Sequence, residues 1–388
     1  NISDFDISKL EELYVEFHKL AQKDPVLAEK AREWFKKLED GDSKAKEIWK
    51  KCVDVSLKEF DKVYALLGVK IDFAFGESSY TQEMKKLLSD SSFTKYISDG
   101  EDGAKIIDLS KEGINVPLML LKKDEGTTYA TRDLATITFR VRKWDPKIII
   151  YEVGAEQSFY FKQIFAAARL LGLVKEDVKL VHTAHGLYLA SDGKKFATRE
   201  GKTIKLEEVL DEAVKRAKNL GNKDEKVAKM VAIGAIKYFD LMHSVQSDVV
   251  FDWEKMMNLE GNSGPYLQYT VARINSVLAK SPIINNQLPN NFKIQINNEE
   301  MAVLRKLSQF PEIIATAAIN YSPNTLCNYL YDLAQKFNSF YNKHRILPDD
   351  STRQVSADFT WRVILTAGAG QVLKNGLKLL GIETPERM

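Results

Sequence analysis

Cysteine is nearly absent: the 388 residues include only Cys52 and Cys327, far apart in the chain. Two such residues build neither a disulfide framework nor a Cys-based zinc site, and they suit a reducing cytoplasm. Histidine is scarce as well, and none of His18, His182, His185, His243 and His344 has metal-ligand spacing, so no metal site is expected. No apolar run approaches the ~18 residues of a membrane span, and the start of the sequence reads as acidic and helical. Neither anchor nor signal peptide is therefore expected, and no membrane partner. Glycine (20) and proline (10) are too few for a fibrous chain, while 44% apolar residues are too many for a disordered one. Net charge is also small, with 56 Lys+Arg against 54 Asp+Glu. A nucleic-acid surface is compatible with that balance only if the basic residues are unevenly spread, and positions 265–388 do carry 13 Lys+Arg against 9 Asp+Glu.

What is present suffices for two or three domains at roughly 100–200 residues each. Residues 1 to about 66 are rich in Lys and Glu, with apolar positions such as Leu10, Tyr14, Phe17 and Leu20 at helical spacing, and read as surface helices divided near Gly41. From about 71 to 205, short β-rich runs alternate with helical stretches, the signature of an α/β layer with a parallel sheet. Its clearest unit runs from Ile148 to Leu189 as strand, crossover helix and strand. Ligands collect at the carboxyl ends of such strands, where Gly154-Ala155-Glu156-Gln157 lies. After about 206 the pattern is helical to the end, interrupted by an Asn-rich loop from Ser281 to Asn298. Ser322 and Pro323 read as an N-cap and first helical residue, and Leu326, Leu330, Leu333, Phe337 and Phe340 as one core stripe.

Three clusters could carry chemistry. Ser191 to Thr203 contains four cations and three hydroxyls in a glycine-bounded loop beside the ligand edge of the sheet. It suits either an exposed basic turn or a loop folding over a polyphosphate. In Tyr129-Ala130-Thr131-Arg132-Asp133, a helix would set Tyr129 and Asp133 on one face, able to grip a planar cation through a bidentate carboxylate, or else to form an ordinary surface. Tyr266, Tyr269 and Arg273 share a helix face and offer two stacking rings and a guanidinium to unpaired bases, or simple core packing. His182 and His185 lie in an apolar strand context, as packing or adenine-neighbouring residues.

Taken together, these strings resemble arginyl-tRNA synthetase, a class I aminoacyl-tRNA synthetase. The resemblance runs in family order through Gly76-Glu77-Ser78, Tyr129-Ala130-Thr131-Arg132-Asp133-Leu134-Ala135, Val153-Gly154-Ala155-Glu156-Gln157, Lys195-Phe196-Ala197-Thr198-Arg199, Gly264-Pro265-Tyr266-Leu267-Gln268-Tyr269 and Phe337-Asn338-Ser339-Phe340-Tyr341, to the terminal Pro385-Glu386-Arg387-Met388. It implies an α/β plus all-α protein: the second half of a Rossmann-type nucleotide-binding fold followed by a helical anticodon-binding domain. The implied division is a helical connective segment at 1–70, the Rossmann half at 71–205, a helical junction at 206–262 that contacts the inside of the tRNA, and the anticodon domain at 263–388.

The resemblance further implies that Tyr129, Asp133 and Glu77 bind the arginine guanidinium and that Gln157 holds the amino acid's backbone end. ATP, accompanied by Mg²⁺, would meet His185, Gly186, Lys195 and Thr198. Lys195 to Arg199 looks like the family's KMSKS loop, in which Thr198 stands where the pattern has its second lysine. The catalytic cations would be Lys195 with Arg199 and Lys202, one of the latter two taking that lysine's role. Tyr266, Tyr269, Arg273 and Met388 would meet the anticodon loop of tRNA(Arg). A His-Ile-Gly-His type element is absent from this sequence. The expectation is therefore the C-terminal portion of a monomeric, cytoplasmic arginine–tRNA ligase, itself inactive or impaired; the alternative is a non-catalytic tRNA-binding protein derived from a synthetase.

Overall fold

Three aspartates start the first three helices, each accepting a backbone N–H of the first turn through its side chain. Asp6 caps α1 (Ile7–Ala21), Asp24 caps α2 (Pro25–Asp40) and Asp42 caps α3 (Ser43–Leu67). Besides the division at Gly41, which takes a left-handed φ of 92° to end α2, there is a further break at residues 22–24. These helices are surface elements, as the Lys/Glu-rich sequence implies: Ala45 is buried, whereas Tyr14, Phe17, Trp34, Phe35 and Phe60 are exposed. The computed structural model describes residues 6–100, 103–190, 193, 205–221, 224–281, 294–348 and 357–388. Two compact units are distinguished, one of Ile71–Leu187 with Val245–Val249, the other of Asn1–Lys70, Tyr188–Ser244 and Val250–Met388.

In the α/β unit, α4 (Thr81–Ser89) and α5 (Ser91–Thr94) lead into an antiparallel sheet of β1 (Ile97–Asp99), β2 (Lys105–Ile107) and β3 (Leu118–Leu121). This sheet departs from the purely parallel expectation, because strands of three or four residues are too short to display a period. The helix α6 (Tyr129–Trp144) follows, then β4 (Ile148–Tyr151), α7 (Ser158–Leu170) and β5 (Lys179–His182). The last three form the expected strand, crossover and strand, with β4 and β5 parallel from Ile148↔Lys179 to Tyr151↔His182. Ile107, Leu120, Leu134, Ile137 and Ile164 are fully buried in the unit's core. Of the expected unit running to Leu189, the second strand pairs only as far as His182, with one further bridge at His185, and at Gly186 the chain presses against another stretch of backbone. The Gly186 N–H donates to Val245 O, and a Cβ there would lie 2.2 Å from Ser247 O. Only glycine permits that approach.

The other unit's helices, after the short β6 (Tyr188–Leu189), are α8 (Leu206–Asn219), α9 (Glu225–Leu241) and, past the short β7 (Val249–Val250), α10 (Trp253–Met256), α11 (Gly264–Ala279), α12 (Asn298–Ile319), α13 (Pro323–Lys343) and α14 (Ala357–Leu379). The stripe Leu326, Leu330, Leu333, Phe337 and Phe340 lies in its core. Ser322 precedes α13 as expected, but its hydroxyl goes to Asn324 Oδ1 and not to a first-turn N–H. Of the expected Asn-rich loop, 282–293 lies outside the described residues, while Asn297 and Glu300 form a reciprocal capping box on α12. Helices α9 and α11 cross at Gly234 and Gly264, where a Cβ on Gly264 would meet Gly234 O at 2.4 Å. In the junction segment expected to touch tRNA, Tyr238 and Phe239 are buried, Tyr238 donating to Asn262 Oδ1 and Cys327 O. These two residues belong to the core. No described helix is long and apolar enough to cross a membrane.

Candidate functional site

The string at the start of α6 divides into a packing half and a chemical half. Ala130, Thr131, Leu134 and Ala135 are buried, and the Thr131 hydroxyl donates to Leu120 O at 2.6 Å, tying the helix to β3. Helical spacing then turns Tyr129 out to solvent and leaves Arg132 and Asp133 half-buried at the edge of that core. Tyr129 is 68% exposed and carries the Arg132 guanidinium 5.6 Å from its ring centroid. Arg132 also lies 3.5 Å from the Glu77 carboxylate and 3.4 Å from Thr127 Oγ1. The structure thus gathers Tyr129 and Glu77 around a guanidinium, that of Arg132.

Asp133 faces a different partner. The Tyr160 hydroxyl, on α7, donates to its Oδ2 in a short hydrogen bond. Burial raises the Asp133 pKa above its ordinary value; the Tyr160 hydrogen bond and the charges of Arg140 and Arg132 oppose that rise, while Glu77 adds to it. Burial and the carboxylate together push the Tyr160 phenol far upward, so it remains a donor. Nearby, burial moves the Tyr151 phenol up to about 12, with the Arg140 guanidinium 5.1 Å from its ring. Of the Asp133 carboxylate, Oδ2 accepts from Tyr160, which leaves acceptor capacity on both oxygens, and among the described residues no hydrogen bond reaches Oδ1. Tyr160 was missed by sequence reasoning because it sits in the apolar stripe of α7, beside buried Phe161 and Ile164.

The strand ends expected to form a ligand edge are present. Beyond β4 and β5 the chain continues in a parallel bridge between Gly154 and His185, and the Ala155 N–H donates to His185 O at 2.9 Å. Gln157 is exposed in the turn leading into α7, and His185 is exposed with Nδ1 3.0 Å from Gly186 O. His182 is a packing residue, its ring tilted against that of Phe161 with centroids 4.8 Å apart and its Nε2 2.9 Å from Val153 O. Lys195, Thr198, Arg199 and Lys202 lie outside the described residues. Among the described residues, no group of three His, Cys, Asp or Glu side chains could hold a metal.

In the helical unit, Tyr266, Tyr269 and Arg273 do share a face of α11, joined by a residue of α13. Arg273 Nη1 donates to Asn338 Oδ1 at 2.7 Å, and Asn338 Nδ2 donates to Tyr266 Oη at 2.9 Å and Thr270 Oγ1 at 3.1 Å. The guanidinium lies 5.0 Å from the ring centroids of both Tyr269 and Tyr341. Tyr266 packs edge-on against Tyr331, and burial raises its hydroxyl pKa. The terminal segment is anchored to α9 and α11: Lys237 Nζ donates to Gly381 O, Gln268 Nε2 to Glu383 O and Asn275 Nδ2 to Glu386 O. That anchoring seats the half-buried Met388 at the end of a held chain rather than a free one.

A parallel strand–helix–strand unit and a helical unit carrying an aromatic and cationic face are what a class I aminoacyl-tRNA synthetase combines, and the family models identify that class. Residues 1–253 match the family model for tRNA synthetases class I (R), catalytic domain, and residues 267–388 match the DALR anticodon binding domain. The chain belongs to the arginyl-tRNA synthetase family. It is 39% identical to the arginine–tRNA ligase of Lactococcus lactis, over 98% of the chain and 67% of that relative. It also superposes on the arginyl-tRNA synthetase of Plasmodium falciparum with a TM-score of 0.79 and 26% identity, over 95% of the chain and 63% of that structure. The Thermus thermophilus enzyme shares the fold, with a TM-score of 0.75 at 23% identity. The chain thus spans about two thirds of the length of these proteins.

Proposed function

We propose that this chain carries the arginine-binding and tRNA-binding parts of an arginine–tRNA ligase. In the reaction, the carboxylate of arginine attacks the α-phosphate of ATP, giving arginyl-adenylate and pyrophosphate. A terminal ribose hydroxyl of tRNA(Arg) then takes the arginyl group and releases AMP. The observation that carries the reading is that the start of α6 holds the Asp133 carboxylate within electrostatic reach of a second one, Glu77, which pairs with Arg132 over the Tyr129 ring. A guanidinium stays charged at any working pH, and such a pair distinguishes it from neutral side chains. Gln157, at the adjoining strand end, would orient the amino acid's backbone.

Catalysis would rest on positioning and on stabilising the charge that develops at phosphate. Parallel strands collect ligands at their carboxyl ends, so a nucleotide would lie near Gly154 and His185, which form a parallel bridge there; His185 and Gly186 would meet the adenosine, and Lys195, Thr198, Arg199 and Lys202 would serve the phosphates. Mg²⁺ bound with ATP would neutralise part of the phosphate charge. Tyr266, Tyr269, Arg273 and Met388 would meet the anticodon loop by stacking and edge contacts. A cytoplasmic monomer is the state this reading implies. A non-catalytic tRNA binder would use the aromatic face of α11 but would have no use for two carboxylates around a guanidinium site. Calorimetry with L-arginine tests the reading: Asp133→Ala should abolish binding, and unchanged affinity would refute the substrate assignment. For tRNA(Arg), Tyr266→Ala and Arg273→Ala should weaken binding at a fixed salt concentration.

A further inference from the structure

We infer that Tyr160 is a positioning residue of the arginine subsite: its hydroxyl holds Oδ2 of Asp133 and fixes the carboxylate so that Oδ1 is presented to the substrate guanidinium. This rests on the reading of Asp133 as the guanidinium's partner. The hydrogen bond spans two helices, α6 and α7, and is made by the one polar atom of a side chain otherwise placed in an apolar stripe. An apolar packing role alone would be met by phenylalanine, as it is next door at Phe161.

Asp133 is a carboxylate in a largely buried setting, and a guanidinium is bound well only while that carboxylate is ionised. The groups that face it are Arg132 and Arg140 from its own helix, Glu77 from the turn Glu77–Tyr80 before α4, Tyr151 from β4 and Tyr160 from α7. The two arginines favour ionisation and Glu77 opposes it. Of the two phenols, only Tyr160 donates to the carboxylate, which favours the charged form and fixes the plane of the group at once. With the Tyr160 hydrogen committed to Oδ2, the carboxylate presents acceptors alone to the substrate. A cationic donor suits that surface, and the oxygen of a neutral ureido analogue does not.

The test uses Tyr160→Phe in the full chain, with folding checked by circular dichroism, and L-arginine binding measured by calorimetry at about pH 7.5 and about pH 5.5. Arginine affinity should fall about ten-fold at the higher pH and further at the lower one, as loss of a donor to the charged form raises the Asp133 titration. Carbon-13 NMR of the Asp133 carboxyl should record that titration moving upward. A merely structural role would change the melting temperature without moving either pH dependence. If Asp133→Asn abolishes arginine binding while Tyr160→Phe matches wild type in affinity and pH dependence, the inference fails and the substrate reading stands. If the wild type does not bind arginine, or Asp133→Asn binds as the wild type does, the substrate reading fails and takes the inference with it. Should Tyr160→Phe not fold, 3-fluorotyrosine at position 160, a stronger donor, should shift the Asp133 titration downward; an unmoved titration overturns the proposal.

Discussion

The guanidinium of Arg132 pairs with the Glu77 carboxylate at 3.5 Å while lying over the Tyr129 ring. Arg132 therefore occupies two of the three side chains proposed for the substrate's guanidinium. Two guanidinium groups can share one acidic cluster if each carboxylate serves one of them; on the proposed reading Glu77 would then serve chiefly Arg132, and Asp133 the substrate. The side chain of Glu77 is 64% exposed, so its pair with Arg132 contributes only about 0–1 kcal/mol to stability. Glu77→Gln should thus leave urea denaturation nearly unchanged. Arginine binding should weaken about three- to ten-fold, and less so at high salt, since a solvent-facing charge is screened. An affinity loss as complete as that of Asp133→Ala would show instead that Glu77 is a principal ligand.

Asp133 offers a second prediction, with its sign set by burial. Because its pKa is raised in the folded protein, the native state binds more protons than the unfolded chain between the unfolded and folded values. Stability from this group is therefore intact below the unfolded value and is lost as pH rises through the folded one. Asp133→Asn keeps an oxygen to accept the Tyr160 hydroxyl but has no charge to desolvate. The variant should melt above wild type near neutral pH, with the difference closing toward the ordinary Asp range, while arginine binding is lost. Thermal melts across that pH range check it, and a constant difference would assign the stabilisation to something other than ionisation.

Asn338 bridges Arg273, Tyr266 and Thr270, so the α11 face is held from α13. Asn338→Ala should free the Arg273 guanidinium to leave its place between Tyr269 and Tyr341. Loss of tRNA affinity should approach that of Arg273→Ala, and the double variant should lose little more than either single one, because the residues act as a network. Additive losses in filter binding at one salt concentration would make Asn338 an independent contact.

The motif strings made the family legible because each combines packing and chemistry at fixed spacing. Leu134 and Ala135 behind Asp133, or Phe337 and Phe340 around Asn338, are core residues that hold the polar ones in place. The crossover from Ile148 and the stripe from Leu326 were legible for the same reason, since long elements display their period. What sequence could not supply was contact between elements. Tyr160 has the spacing of a core aromatic, and its hydroxyl gains a role only once α7 packs on α6. Asn338 was visible within a string but not as the link to Arg273, 65 positions away. Tyr238 and Phe239 lie in the junction that the resemblance implies contacts tRNA, yet helix α9 buries them.

The helical unit's core makes a final prediction that is independent of any ligand. Gly376 of α14 faces Leu330 of α13 so closely that a Cβ there would lie 2.4 Å from Leu330 Cδ2. Gly376→Ala gains helix propensity of about 1 kcal/mol, but in a packed core the added methyl forces a shift costing about 1–3 kcal/mol. Leu330 is fully buried, and Leu330→Ala should cost about 2–5 kcal/mol through lost burial and the cavity left behind. In the double variant the new methyl enters space that the leucine vacated, and the clash disappears. Its destabilisation, read from urea midpoints, should be smaller than the sum of the two single losses and smaller than that of Leu330→Ala alone. Strict additivity would mean that α13 and α14 do not meet at this pair in solution.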